Sequence, residues 1–276
     1  MQNASLKQAY KLCRRQTKKG YWNAFNLRPG GSALWTTSTA LTALGKVVIR
    51  SHVKRQPYWL LKSIERGWQC LDQNCEKQTI GFNLNTPSDA DSTTWLCRAL
   101  VVRYQLYQLG IVFGDRDHSD ILGWLDKNLN YIEDHMDPSL TGMQTYTAED
   151  QILQYINHYE SKSSWLSKHS CVTANTKALG LELSAIPTKN FTKHSLLLAK
   201  LKPSKNAFWW TDSRIIDILM GKKMPEDIQL VLRVPEHNDQ LGDKTVYNEF
   251  TDIEGALSKD DGSFKLSLSI ISSSNE

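Results

Sequence analysis

Residues 81–100 read Gly81-Phe-Asn-Leu-Asn-Thr-Pro-Ser-Asp-Ala-Asp-Ser-Thr-Thr-Trp-Leu-Cys-Arg-Ala-Leu100. Pro87 stops whatever precedes it, and Ser88 with Asp91 has the spacing of a helix capping box, with Asp in the place of Glu. Beyond the cap, Trp95, Leu96, Leu100 and Tyr104 recur at three and four. That spacing predicts a helix over Ser92–Leu109. The same design recurs elsewhere. Trp35-Thr-Thr-Ser-Thr-Ala-Leu-Thr-Ala-Leu44 and Cys171-Val-Thr-Ala-Asn-Thr-Lys-Ala-Leu179 both carry Thr near the start and an apolar pair near the end. Trp209-Trp-Thr-Asp-Ser-Arg-Ile-Ile-Asp-Ile-Leu219 reads as a degenerate fourth copy. The copies lie roughly 40 to 80 residues apart, which suits repeats of one or two helical hairpins. A helix capped by Thr and running into Ala-Leu would give the same pattern without any repeat.

The rest of the chain has the same period. Apolar stripes at helical spacing predict helices over Leu34–Val48, Tyr58–Leu71, His118–Met136, Glu149–Tyr159, Val172–Leu183, Thr192–Leu201, Ser213–Gly221, Asn248–Leu257 and Gly262–Ser272. Gln229–Val234 is the one candidate strand. Gly30-Gly31 and Pro57, Pro87, Pro138, Pro187, Pro203 and Pro225 punctuate these pieces. The expected fold class is therefore all-α. One hairpin cannot bury its own apolar face, whereas hairpins stacked around an axis can. The expectation is an α/α barrel, a toroid of about six helical hairpins. Its inner helices would bring the repeat starts, with Trp35, Asp91, Cys171 and Trp209, to one end. Residues 1–28 are expected as an N-terminal helical extension, 29–271 as the barrel and 272–276 as a frayed tail.

Composition narrows the function classes. Of 276 residues, 40% are hydrophobic and 22% charged, a globular balance that excludes disorder for most of the chain. The net charge of +4 does not argue for nucleic acid as a partner. The first 22 residues lack the apolar core of a signal peptide, and no stretch approaches a membrane span. Five scattered cysteines do not make a disulfide framework, so a cytoplasmic protein with free thiols is expected. The basic stretch Lys11, Arg14, Arg15, Lys18 and Lys19 reads as a solvated helix face; it would also suit peripheral contact with an anionic membrane, where isoprenoids partition. Nine tryptophans are an unusual number.

Asp89 and Asp91 have two readings. One is a capped helix start with no further role. The other places two acids at the mouth of a Trp-rich cavity. An alkene is a very weak base, so protonating it needs an acid that stays protonated near neutral pH. Burial keeps the proton on a carboxyl. Hydrogen-bond donors then stabilise the carboxylate that forms. A carbocation needs walls that exclude water and present π-faces, as Trp and Tyr do.

Asp89-Ala-Asp-Ser-Thr93, after a Gly-aromatic-Asn stretch and Pro87, resembles the aspartate motif of the class II terpene cyclases, the squalene-hopene cyclase and prenyltransferase-repeat proteins. Gly142-Met-Gln-Thr-Tyr146 is similar to the family's Gly-x-x-Thr-Tyr element. Trp165-Leu-Ser-Lys-His-Ser-Cys-Val-Thr-Ala-Asn175 is similar to its Trp…His-x-Cys-Val-Thr-Ala element. Phe208-Trp-Trp210 resembles a later repeat start, and Leu232-Arg-Val-Pro235 and Asp261-Gly-Ser-Phe264 resemble its C-terminal signature. The resemblance spans roughly residues 29–270. It implies an α/α barrel and protonation-initiated cyclisation of an isoprenoid. It implies Asp91 as the general acid, Asp89 as the first acid of the motif and Asn175 as the residue that hydrogen-bonds the acid. Trp35, Trp95, Tyr146, Trp209 and Trp210 are the cavity-wall candidates. The fourth motif position is Ser92 where the family has Asp, and the chain has room for one barrel where the full cyclases have two. A second barrel subunit is therefore an expected partner. Protonation itself needs no metal, so no cofactor is expected; a diphosphate substrate would bring Mg²⁺. The alternative is a catalytically inactive barrel that binds a prenyl chain or a protein.

Other chemistries fit less well. Asp115-Arg-Asp-His-Ser-Asp120 lacks the spacing of a Mg²⁺ diphosphate site, and Asp117 or Ser119 is expected to cap the next helix. His169 with Cys171 is the nearest arrangement to a zinc set, but no Asp-x-Cys step completes it. There is no Gly-x-Ser-x-Gly elbow and no Gly-rich phosphate loop.

Overall fold

Trp22 shows how the N-terminal segment joins the rest. Its indole N–H donates to the Leu12 carbonyl at 2.8 Å, and its backbone N–H donates to Thr37 Oγ1 at 3.0 Å. Leu12 lies in the last turn of a helix, and its carbonyl accepts from the Arg15 N–H at 3.0 Å as well as from the buried indole. The computed structural model describes residues 2–23, 26–27, 30–51, 56–75, 78–147, 166 and 168–203. Seven helices are found among them. They are α1 (Gln2–Arg14), α2 (Ala33–Arg50), α3 (Tyr58–Cys75), α4 (Ala90–Gln108), α5 (His118–Asp134), α6 (Ser170–Leu183) and α7 (Lys189–Leu198). Ala9 and Leu12 of α1 and Trp22 belong to the same apolar core as the helices that follow. The helices expected at 149–159, 213–221, 248–257 and 262–272, the strand at 229–234 and the tail lie outside the described residues. The described strands are a two-residue antiparallel ladder, Asn26–Leu27 against Gly30–Gly31, too short to leave an alternating pattern in the sequence.

The helices form two layers. α4 packs between α2 and α6, and α3, α5 and α7 pack outside α2, α4 and α6 respectively. The inner position of α4 shows in its burial: 15 of its 19 residues are buried. An inner helix has no water-facing stripe, which explains the Ser and Thr of the repeat starts. Their hydroxyls satisfy themselves on the preceding turn, as Thr42 Oγ1 does on the Ser38 carbonyl (2.9 Å) and Thr173 Oγ1 on that of His169 (2.8 Å). Thr94 and Thr176 join α4 to α6 directly, hydroxyl to hydroxyl at 3.3 Å. Close approach of α2 and α4 depends on Gly45, since a Cβ there would overlap Val102.

Outside this layer, Trp68 and Trp124 are buried, each stabilising the fold by about 1.5–3 kcal/mol if counted as a large apolar side chain. Arg103 of α4 lies with its guanidinium 4.4 Å from the Trp68 ring centre and makes a two-pronged ion pair with Asp72 of α3, at 2.9 and 3.0 Å. Arg116 binds the same carboxylate at 2.7 Å.

Several helix ends differ from expectation by two to four residues, and caps account for two of them. α4 begins at Ala90, with Asp89 rather than Ser88 as its N-cap, because the Ser88 hydroxyl is taken by Thr79 Oγ1 at 2.8 Å. α7 begins at Lys189, three residues before the expected Thr192, because Thr188 caps it. Asp117 caps α5 by accepting from the Asp120 N–H at 2.8 Å.

The all-α layered class inferred from the sequence is the one observed. Among the described residues no helix is long and apolar enough to cross a membrane, and no group of three His, Cys, Asp or Glu is arranged to hold a metal.

Candidate active site

The first turns of the three inner helices meet. Trp35 lies in the first turn of α2, Asp91 in that of α4, and Asn175 in the second turn of α6. Trp35 Nε1 donates to Asp91 Oδ2 at 3.0 Å, and Asn175 Nδ2 donates to Asp91 Oδ1 at 3.2 Å. Residues up to 140 positions apart in sequence thus converge on one carboxyl, with one donor on each oxygen.

The start of α4 is anchored so that this carboxyl cannot drift. Asp89 N–H donates to the Ile80 carbonyl at 3.1 Å, and Ala90 N–H to the Thr145 carbonyl at 3.0 Å. Thr93 Oγ1 donates back to the Ile80 carbonyl at 3.0 Å. Asp89 accepts from the Ser92 N–H and from the Ser92 hydroxyl, both at 2.7 Å. Ser92 therefore links the first and fourth positions of the motif: a hydroxyl donates where a fourth carboxylate would have repelled. Asp89 does not reach the Asp91 carboxyl by any of these bonds. Its part is to hold the helix start.

Electrostatics separate the two acids. Asp89 is 3% exposed, whereas Asp91 keeps a partly open side. Burial pushes the Asp91 carboxyl above the ordinary carboxylate range; the Trp35 N–H, the His169 charge, the Asn175 amide and the Arg98 guanidinium act against it. Burial pushes Asp89 up as well, and the neighbouring Asp91 adds to this, against the two donors of Ser92. Two buried carboxyls so close titrate as a pair, and the pair retains a proton beyond the usual range.

Of the aromatic candidates, Trp35 meets Trp95 edge to face at 6.0 Å between ring centres. Trp95 is fully enclosed, with the Arg98 guanidinium 4.6 Å above its ring. Tyr146 is buried and follows Thr145, whose carbonyl holds the α4 start. Trp209 and Trp210 lie outside the described residues. His169 is the N-cap of α6; its ring Nδ1 is buried without a hydrogen-bond partner.

Sequence reading missed the charged cluster behind the site. Arg98, fully buried, donates from Nη1 to Asn175 Oδ1 at 2.9 Å and from Nη2 to Glu182 at 2.6 Å. Lys46 of α2 reaches the same Glu182 at 2.7 Å. The one signal in the sequence is that Arg98 stands seven residues after Asp91 and so shares its helix face.

Solved structures give the context. The chain resembles the type II terpene cyclase MstE from Scytonema with its substrate geranylgeranyl dihydroxybenzoate, at a TM-score of 0.52 and 18% identity over 80% of this chain and 57% of that one. The same enzyme without ligand matches at 0.51 and 18%, over 80% of this chain and 58% of that one. A protein from Actinoplanes matches at 0.50 and 18%, over 80% of this chain and 59% of that one. The shared fold is the helical one of the type II terpene cyclases. The chain spans less than two thirds of the length of these relatives. No protein-family model and no curated protein matches it.

Proposed function

We propose that this chain is a type II terpene cyclase of the squalene-hopene cyclase-like kind, with a single barrel, and that Asp91 is the general acid. The observation that carries the reading is the seat of Asp91. Its two oxygens accept from Trp35 and Asn175, it keeps an open side, and burial holds its proton. Asp89 accepts both donors of Ser92, burial raises both carboxyls, and the pair as a whole retains a proton for Asp91 to deliver.

In the reaction the Asp91 O–H bond breaks and its proton forms a C–H bond at one alkene carbon of an isoprenoid chain. The electron pair of the O–H bond stays on the carboxylate, and the other alkene carbon becomes cationic. The π pair of a second alkene in the same chain attacks that carbon and closes a ring, which moves the positive charge to the second alkene's other carbon, and loss of a proton from the carbon next to it to solvent forms the product alkene. Trp35 and Asn175 hold the carboxylate more strongly than the acid, so they favour the transition state over the ground state. The partly buried Trp35 and the buried Tyr146 line the cation's path. Trp95 supports Trp35 from behind. The substrate is an isoprenoid small molecule. One that carries a diphosphate brings Mg²⁺ with it, and a second barrel subunit closes the open side of the cavity. A cytoplasmic setting with peripheral contact to a membrane fits a lipid substrate.

The test is to incubate the protein and its Asp91→Asn variant with squalene, farnesyl diphosphate, geranylgeranyl diphosphate and geranylgeranyl dihydroxybenzoate, and to look for cyclic products by mass spectrometry. A product made by the wild type and lost in the variant supports the reading. A product made equally by both removes Asp91 from the role. The complete enclosure of Trp95 favours a second reading, a barrel that binds a prenyl chain without turning it over. In that case the wild type retains one of these chains and returns it unchanged.

A further inference from the structure

We propose that Arg98 is a positioning residue, fixed by Glu182, that decides which way the Asn175 amide faces the Asp91 carboxyl. The inference rests on the reading of Asp91 as proton donor and deepens it.

A primary amide has a donating and an accepting end, and only the donating end helps a carboxylate. Turned the other way, Asn175 would set its carbonyl oxygen against Asp91 Oδ1 and repel it. Asn175 alone has no preference between the two. Arg98 supplies one, because a guanidinium donates and never accepts. With Nη1 2.9 Å from Asn175, it requires Oδ1 on its own side and so leaves Nδ2 for Asp91. Arg98 is itself held on three sides. Glu182 takes Nε at 3.1 Å and Nη2 at 2.6 Å, and the Trp95 ring lies under the guanidinium plane. Lys46 steadies Glu182 from α2.

The arrangement also concerns charge. The groups that face the Asp91 region come from each inner helix: Asp89 and Arg98 from α4, His169 and Glu182 from α6, and Lys46 from α2 behind Glu182. Tyr131 of α5 borders the Asp89 side. Lys46 and Arg98 both bind Glu182 on the far side of Asn175 from the acid. Glu182 also lines a cavity of about 250 Å³ between the C-terminal halves of α2, α4 and α6, whereas Arg98 is sealed from it. The cluster therefore transmits to Asp91 through Arg98 and Asn175 and not through solvent.

Two effects follow from removing Arg98, and both weaken the acid: the nearby cation is lost, and the Asn175 donor is free to turn away. The experiment reads Asp91 itself, without turnover. The full-length protein is labelled at the aspartate carboxyl carbons with ¹³C, the Asp91 resonance is assigned with Asp91→Asn, and its titration is followed by NMR. Arg98→Met is expected to raise the Asp91 midpoint by about one unit or more. Arg98→Lys, which keeps the charge but loses the fork, is expected to raise it less, and it serves in place of Met if that variant does not fold. In an Asn175→Ala background the Arg98 substitution should move the midpoint by less than half as much. An unmoved midpoint in both Arg98 variants, or an equal shift with and without Asn175, overturns the proposal. Failure of the wild type to cyclise any substrate would instead count against the general-acid reading and leave the titration result standing.

Discussion

Replacing Trp35 by Phe removes one donor from Asp91 and little else. The ring remains to pack edge-on against Trp95, but the Nε1–H that lies 3.0 Å from Oδ2 is gone. A hydrogen bond to a charged group contributes about 1.5–3 kcal/mol and one to a neutral acid about 1 kcal/mol. The difference, about 0.5–2 kcal/mol, is what the donor gives the carboxylate over the acid. At about 1.4 kcal/mol per unit, the Asp91 pKa should rise by about one unit. The active form is the protonated one, so activity is lost as pH rises through that pKa. A higher pKa therefore carries the alkaline limb of the rate profile upward by about one unit. A weaker acid protonates an alkene more slowly, so kcat should fall about two- to thirtyfold on the plateau. KM reports separately on the smaller ring that Phe presents to the substrate. The assay is kcat and kcat/KM against pH for both proteins. An unchanged kcat, or a limb that moves downward, would refute the placing of this donor on the acid.

Other perturbations test the frame around the site. The folded chain holds a proton on the Asp89–Asp91 pair above the ordinary carboxylate range, so it binds more protons than the unfolded chain there. Stability should fall as pH rises from about 4 toward neutral, at up to about 1.4 kcal/mol per unit for one proton, and Asp91→Asn should flatten the slope of Tm against pH. Gly45→Ala gains helix propensity but drives a Cβ into Val102, so a net loss of about 1–2 kcal/mol is expected in urea unfolding. Asp72→Ala strands Arg103, which is 2% exposed, and should cost about 3 kcal/mol by the same measurement.

The sequence carried the parts of this structure that depend on local period and on short motifs. The stripes of α2 to α5 were legible because apolar residues at three and four match the turn of a helix and not the alternation of a strand. Asp91 and Asn175 were legible through a motif, and their meeting at 3.2 Å follows from the inner helices running parallel. Caps were harder. Ser88 and Asp89 are equally good N-caps by residue type, and the choice was made by Thr79, a partner nine residues away. The cluster of Lys46, Arg98 and Glu182 left no local signal beyond the seven-residue step from Asp91 to Arg98, because its members are joined across 84 and 136 positions. α4 gave a further difficulty. A helix buried on nearly every side shows no polar face, so Arg98 and Arg103 look like surface residues in the sequence although both are sealed in the interior.

The parallel course of α2, α4 and α6 has a consequence for the field inside the molecule. Each helix carries a macrodipole equivalent to about half a positive charge at its N-terminus and half a negative one at its C-terminus. Three aligned dipoles add where antiparallel neighbours would cancel. The end that holds Asp91 is thus the positive pole of the inner layer, and the end near Lys46 and Glu182 is the negative pole. An anion that appears at Asp91 when its proton leaves is created at the pole that favours it.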